Sequence, residues 1–287
     1  MVIQSSHHTL VRDRRLADEL RVLGFDVASQ SHASVAIGAD KVLMKRFLDR
    51  HGFATPRWSS AARWGLGADT GHQVVKARHG TQSENTRLAL PGERPSAPDV
   101  LHEEYEPGTE YSVIVHRDGD RVITFPPVWK GRTSLDLVPP WRRLRLCPYH
   151  RLPEPVATEM HHLSTAIADA ADTCGYLEIE YLVTDKGAVT VLELNPRISG
   201  TMRIVAMATN VMLFSSRRLG ALPDRVFPVR WAAEVPYGGE HFSAPEDQVF
   251  ATSRLTVASD DPAQLREKLV RFGGKQTDLH AAAFQVA

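Results

Sequence analysis

One stretch constrains the fold more than any other: GYLEIEYLVTDKGAVTVLELNPRISG, residues 175–200. Two runs rich in Val, Ile, Leu and Tyr flank Asp185-Lys186-Gly187, the pattern of a β-hairpin. A two-residue loop at Lys186-Gly187 sets Glu180 opposite Glu193 and Glu178 opposite Asn195. Side chains alternate between faces along a strand. Glu178, Glu180, Glu193 and Asn195 therefore share one face, and Ile179, Tyr181, Leu192 and Leu194 the other. Opposed like charges destabilise a sheet. Carboxylates stacked in this way have a cation to hold, and hard oxygen ligands suit Mg²⁺ or Mn²⁺ with phosphate oxygens and water completing the shell. Two alternatives stay open: a solvent-facing acidic strand pair, and a three-residue loop with a bulge that breaks these pairs. Asn195-Pro196-Arg197 favours a site, because it adds an amide and a cation where the second strand ends.

The 287 residues suffice for one large or two ordinary domains. Lys+Arg and Asp+Glu both total 34, which removes the argument from excess basic charge for a nucleic-acid partner. Cys147 and Cys174 form no metal-ligand spacing. No apolar run reaches a membrane span and the N-terminus lacks a signal-peptide core, so a reduced, cytoplasmic setting is expected.

Along the chain, residues 14–24 predict a helix with Leu16, Leu20 and Leu23 inward, stopped by Gly24. Phe25–Val27 predicts a short strand, and 39–51 a second helix with Val42, Leu43, Phe47 and Leu48 apolar. Residues 73–77 predict a strand ending at Lys76, followed by the loop RHGTQSENT. Gly80, Thr81, Ser83 and their neighbours can wrap phosphate with N–H and hydroxyl groups, or form a plain turn. No P-loop motif is present, and Gly65, Gly67 and Gly71 precede a strand instead of joining one to a helix, so they are not a dinucleotide fingerprint. Residues 111–125 predict a second hairpin turning at Asp118-Gly119. Residues 126–155, rich in Pro and Arg, read as a long loop that either binds an anion or is a solvated surface. Helices are predicted at 155–173, 201–220 and 263–272, with a strand at 248–258.

Four pieces in this order, DKVLMKRFLDRHGFATP (40–56), VVKARHGTQSENT (74–86), EEYEPGTEYSV (103–113) and LEIEYLV…TVLELNPRISG (177–200), resemble the ATP-grasp superfamily. The resemblance implies an α/β (α+β) fold in which two α+β subdomains clasp ATP. The expected division is a truncated N-terminal α/β unit at 1–38, a small subdomain at 39–105 and a large one at 106–287. It implies phosphate contacts from Lys41, Lys76 and the loop with Gly80, Thr81 and Ser83. It implies an adenine-side hinge at Glu103, Glu104, Tyr105 and Glu106, a ribose contact from Glu110, and Mg²⁺ ligands at Glu180, Glu193 and Asn195. Arg197 matches an arginine beside the transferred phosphate, so Arg197 and Lys76 are the expected catalytic groups.

The implied activity is ATP-dependent coupling of a small carboxylate to an amine through an acyl phosphate, releasing ADP, in a natural-product pathway. A bicarbonate-using carboxylase or carbamoyl phosphate-type enzyme, or a non-catalytic nucleotide-binding module, are the alternatives. Two departures stand out. The α/β domain that normally precedes the Asp-Lys position is reduced here to about one unit: either the start is truncated, or a second copy or a partner protein is expected to complete the site. Glu178 stands where the ligase branch keeps an arginine for the acceptor's carboxylate. Arg203, or one of Arg142, Arg143 and Arg145, is then the expected cation for an acceptor's carboxylate, with Ser199 and Glu178 itself also facing the substrate.

Overall fold

The computed structural model describes residues 9–27, 29–61, 71–80, 85–90, 92–94, 97–138, 143–236 and 254–273. Thr81, Ser83 and Arg142 lie outside them.

The chain opens with three helices, α1 (Leu10–Val22), α2 (His32–Ala39) and α3 (Lys41–His51). Strands β1 (Trp58–Ser60), β2 (Gln73–Ala77), β3 (Arg87–Leu88) and β4 (Val100–Glu104) form a four-stranded sheet in the order β1-β4-β2-β3. Then come β5 (Gly108–Asp118), β6 (Arg121–Thr124), β7 (Val128–Arg132), β8 (Arg145–Cys147), α4 (Glu154–Ala170), β9 (Gly175–Thr184) and β10 (Val189–Asn195). The described chain ends with α5 (Thr201–Thr209), α6 (Ser216–Gly220), β11 (Trp231–Pro236), β12 (Arg254–Ser259) and α7 (Pro262–Gly273). The larger sheet runs β10-β9-β5-β7-β8-β11-β12, with β6 paired to β5. Pairing in both sheets is antiparallel. The fold is α+β, and the chain passes from one sheet to the other between Glu104 and Gly108.

The helix starts follow their chemistry. Asp40 caps α3 by accepting from the N–H groups of Val42 and Leu43 at 2.9 and 3.2 Å, and Gly52 ends it at φ +72°. Asp261 caps α7 by accepting from Ala263 N–H at 2.8 Å. The main core lies on one face of the large sheet, where Tyr111, Val113, Ile179, Tyr181, Val191 and Leu194 meet Met160 and Ile167 of α4 and Met44 and Leu48 of α3. No described helix is long and apolar enough to cross a membrane.

Several expectations are corrected. Helix α1 buries Leu10, Asp13 and Ala17 against its neighbours, while Leu16 and Leu23 are exposed. Residues 25–27 form no strand, so the described part of the N-terminal unit is helical. On α3, Met44 is buried and Leu43 exposed. The expected long loop at 126–155 contains β7 and β8, and β11 was not anticipated. The expected helix at 201–220 breaks into α5 and α6 at Asn210, which adopts φ +55°.

The β9–β10 hairpin holds the expected acid pairs by a different route. Thr184 N–H donates to the Ala188 carbonyl at 2.9 Å, leaving a three-residue loop that ends on Gly187 at φ +84°. Near the turn Val189 faces Val183 and Val191 faces Tyr181, a register that would separate the acids. A bulge at Leu192 then inserts one residue. Beyond it Glu193 faces Glu180 and Asn195 faces Glu178. Leu192 consequently leaves the core face expected for it and lines the cleft.

Candidate active site

A cavity of about 380 Å³ opens between the two sheets. Its large-sheet wall carries Glu178, Glu180, Glu193 and Asn195, and its small-sheet wall carries Lys76, Glu103 and Glu104. Lys41, Gly80, Tyr105, Glu106, Glu110, Arg143, Arg197 and Arg203 also line it. One cleft thus gathers nearly all the described residues that sequence pointed to. Ser199 lies beside it, buried, with its Oγ lacking a hydrogen-bond partner.

Lys41 opens α3 because Asp40 caps that helix. Its Nζ lies 3.1 Å from Glu193 Oε1 and donates to the Gly80 carbonyl at 2.6 Å. Asp40 also pairs with Arg78 at 2.6 Å, which ties the start of α3 to the end of β2. Lys76 alternates outward on β2 and meets Glu103 of β4. The other oxygen of Glu103 accepts from Lys45, which is fully buried on α3. Burial alone would raise the Glu103 carboxyl, but Lys45 and Lys76 outweigh it and hold it below the usual range. In this geometry the Glu103 side chain serves the two lysines, and the chain continues through Glu104–Glu106 along the cleft. There Glu104 N–H donates to the Arg57 carbonyl and Tyr105 N–H to the His72 carbonyl, each at 2.8 Å. The Glu104 carboxylate pairs with Arg57 at 2.7 Å. Burial, then the charges of Glu104 and Glu103, raise the Glu106 carboxyl. Glu110 accepts from Arg143 at 2.8 Å, so Arg143 is committed to the Glu110 side of the cleft.

On the opposite wall Glu193 and Glu180 each have a lysine partner, and Glu178 accepts from a hydroxyl. Lys130 of β7 lies 2.7 Å from Glu180 Oε1, and Arg197 Nη2 donates to Asn195 Oδ1 at 3.4 Å. Burial, with the neighbouring Glu178 and Glu193 charges, raises the Glu180 carboxyl despite Lys130. Burial raises Glu193 too, but Lys41 and Lys76 bring it down to about 2. Glu178 is buried, accepts from Thr201 Oγ1 at 2.5 Å and feels Lys130, Arg145 and Arg197, which offset its burial and keep its carboxyl low. Among the described residues, no group of three or more His, Cys, Asp or Glu side chains could hold a metal by itself. The donors that do face each other, two carboxylates and an amide, fit a hard divalent cation whose other positions are phosphate oxygens and water.

Sequence reasoning missed Lys45, Thr201, Glu234 and Arg254, and it placed Lys130 and Arg145 in a basic loop where the chain forms β7 and β8. Lys130 sits in VWKGR, a strand hidden between prolines. Glu234 sits in WAAEVP, and a single acid inside an apolar run is the signal that could have found it, since a buried charge needs partners.

The cleft and the two sheets define a nucleotide-clasping protein. The ATP-grasp domain family matches residues 38–201, and the chain belongs to that family. It is 32% identical over 114 residues to the carbamoyl phosphate synthase large chain of Clostridium acetobutylicum, which is 39% of this chain and 10% of that protein. It is 39% identical over 91 residues to the Mesorhizobium japonicum counterpart, which is 27% of this chain and 8% of that protein. The match thus spans about a tenth of the length of these relatives. Among solved structures, biotin carboxylase from Campylobacter jejuni superposes with a TM-score of 0.72 at 16% identity, covering 94% of this chain and 73% of that one. N5-carboxyaminoimidazole ribonucleotide synthetase from Thermotoga maritima gives 0.65 at 20%, covering 90% and 77%. These likenesses show the fold.

Proposed function

We propose that the chain is an ATP- and Mg²⁺-dependent carboxylate–amine ligase that forms an acyl phosphate and releases ADP and phosphate. The observation that carries this is the facing pair Glu180 and Glu193, with Asn195, across one cleft from Lys41 and Lys76. In this reading Glu180, Glu193 and Asn195 would hold the Mg²⁺, which would supply charge neutralisation for the phosphate groups. Lys41 and Lys76 exchange their carboxylate partners for phosphate oxygens beside Gly80. Backbone groups of Glu104–Glu106 take the adenine edge and Glu110 the ribose. Arg197 steadies the γ-phosphoryl group as a substrate carboxylate oxygen attacks it and ADP leaves. The amine nitrogen then attacks the acyl carbon and phosphate departs. The substrates are held together away from water, which would otherwise hydrolyse the acyl phosphate. The setting proposed is small-molecule, natural-product metabolism in the cytoplasm.

Replacing Glu193 by Gln is expected to abolish ADP formation while leaving the unfolding transition in place; near-wild-type turnover in that variant overturns the metal assignment. A second reading, a carboxylase or carbamoyl phosphate-type enzyme, is favoured by Arg197 in Asn-Pro-Arg together with the likeness to carbamoyl phosphate synthase. ATP turnover stimulated by bicarbonate without an organic acid would select it.

A further inference from the structure

A second cavity, of about 510 Å³, shares a single lining residue, Arg197, with the nucleotide cleft. Its size suits a small organic molecule. It lies where β5 ends and β9 begins, and α1 and α2 contribute Leu10, Arg14 and Val35. His116 faces Tyr176 there, two residues along each strand from the pair Ile114 and Glu178. The lining is largely apolar: Leu10, Val27, Val35, Ile198, Leu213 and Phe214. The Tyr176 ring meets His116 and Phe214 edge-on, at 4.6 and 6.1 Å between centroids, and its hydroxyl donates to the Leu213 carbonyl. Buried Gln30 donates to the Tyr176 carbonyl and accepts from Cys174 N–H at 3.2 Å, which ties the segment before α2 to the start of β9. The walls are therefore fixed by specific contacts.

Two of the cavity's arginines are committed elsewhere. Arg117 meets Asp169, Asp172 and the Thr173 carbonyl, and Arg121 meets Asp224 and the carbonyls of Leu219, Gly220 and Leu222. Arg14 is different. Its side chain is 11% exposed, and only its Nη2 has a partner, Asp18 at 2.6 Å. Its Nε and Nη1 are buried without a hydrogen-bond partner. Asp18 cannot balance Arg14 alone, because it also lies 3.3 Å from Arg21 and 2.9 Å from His32. His116 Nδ1 is likewise buried without a partner, and burial lowers that imidazole, so the ring is neutral at pH 7. Buried donors left unmet are costly unless a ligand or water reaches them. Apolar walls with one under-neutralised guanidinium match a molecule that is apolar over most of its surface and carries one anionic group.

We propose that this second cavity is a separate, non-catalytic binding site for an organic acid with an aromatic-sized apolar body, its carboxylate held by Arg14 and its body by Tyr176, Phe214 and Leu213. Arg14 lines this cavity and not the nucleotide cleft, so a carboxylate seated on it is not presented to the phosphates. The assignment stands on the cavity alone and does not depend on which reaction the cleft performs.

The test is calorimetric titration of the full chain with phenylacetate and indole-3-acetate, with their amides, and with acetate, each with and without saturating ATP·Mg²⁺. At least one aryl acid is expected to bind about tenfold or more tightly than acetate and than its own amide. Saturating ATP·Mg²⁺ is expected not to compete with it. Arg14→Gln should abolish the preference for acid over amide, and Arg14→Lys should keep part of it. Phe214→Ala should abolish the preference for aryl acid over acetate; Phe214 is 61% exposed, so this variant carries the test even where Arg14→Gln fails to fold. Aryl acids binding no better than acetate, an acid-over-amide preference that survives in Arg14→Gln, or competition by ATP·Mg²⁺ would each overturn the inference. ADP formation that depends on the aryl acid would show that it is the carboxylate being activated, which overturns the non-catalytic assignment.

Discussion

Replacing Lys45 by Met isolates the buried ion group beneath the cleft. Lys45 and Glu103 are each at most 2% exposed, and Glu103 otherwise meets only Lys76 among the described residues. Removing one partner of a buried pair costs about 3–5 kcal/mol, because the remaining charge stays desolvated. Lys76 still faces Glu103, which places the loss near about 3 kcal/mol. With a urea slope of about 3 kcal/mol/M, the midpoint should fall by about 1 M. The double variant Lys45→Met, Glu103→Leu removes both charges and fills the space, so it should recover most of that loss. It also frees Lys76 from Glu103, and the KM for ATP should change in the double variant by more than stability does. Urea unfolding followed by tryptophan fluorescence reads the first effect, and ADP formation reads the second. A single variant within about 1 kcal/mol of wild type, or a double variant less stable than the single, would refute the reasoning.

Three further outcomes follow from particular contacts. Asp40→Asn weakens the cap of α3 and the pair with Arg78, and should cost about 1–2 kcal/mol by urea unfolding at pH 7. Burial would raise the Asp40 carboxyl, but hydrogen bonds from Arg78, Leu43 and Val42 hold it below its ordinary 3.8. Its contribution is therefore fully present above about pH 4 and fades as pH falls through the lower folded value, so the gap in midpoint between wild type and variant should close in acid. Gly38→Ala would bring a Cβ within 2.2 Å of Pro196 Cδ, between Asn195 and Arg197. It should cost about 1–3 kcal/mol by overpacking and lower kcat more than it changes the KM for ATP; a kcat equal to wild type would show that Pro196 does not position Arg197. Lys130→Met leaves Glu180 without its 2.7 Å partner and should lower the Mg²⁺ concentration needed for half-maximal turnover, since a competing cation is gone and the facing carboxylates keep more negative charge for the metal.

The acids, lysines and Asn-Pro-Arg were legible because alternation and order along the chain carry them. The hairpin shows the limit. The sequence supports a two-residue loop, whereas the chain uses three residues and a bulge at Leu192, and the two offsets cancel at Glu180 and Glu193. No local signal distinguishes these routes, because both place a glycine at the turn. Strands β7, β8 and β11 were hidden for another reason. Their pairing partners lie far away in sequence, and the prolines around 126–140 mask their alternation. Lys130, Arg145 and Glu234 ride on those strands, so the basic segment was legible as a candidate anion site but its place on the wall emerged only with the sheet. Helix α1 misled because leucine spacing marks an apolar stripe without saying which face is covered; Leu10, Asp13 and Ala17 are the buried positions instead.

The central claim is that this cleft cleaves ATP between its β- and γ-phosphates to activate a carboxylate. Phosphorus NMR of ATP turnover, with Mg²⁺ and a panel of organic acids and amines, tests it most directly. ADP and inorganic phosphate, formed only when an acid is present and lost in Glu193→Gln, are the predicted products. AMP and pyrophosphate would contradict it.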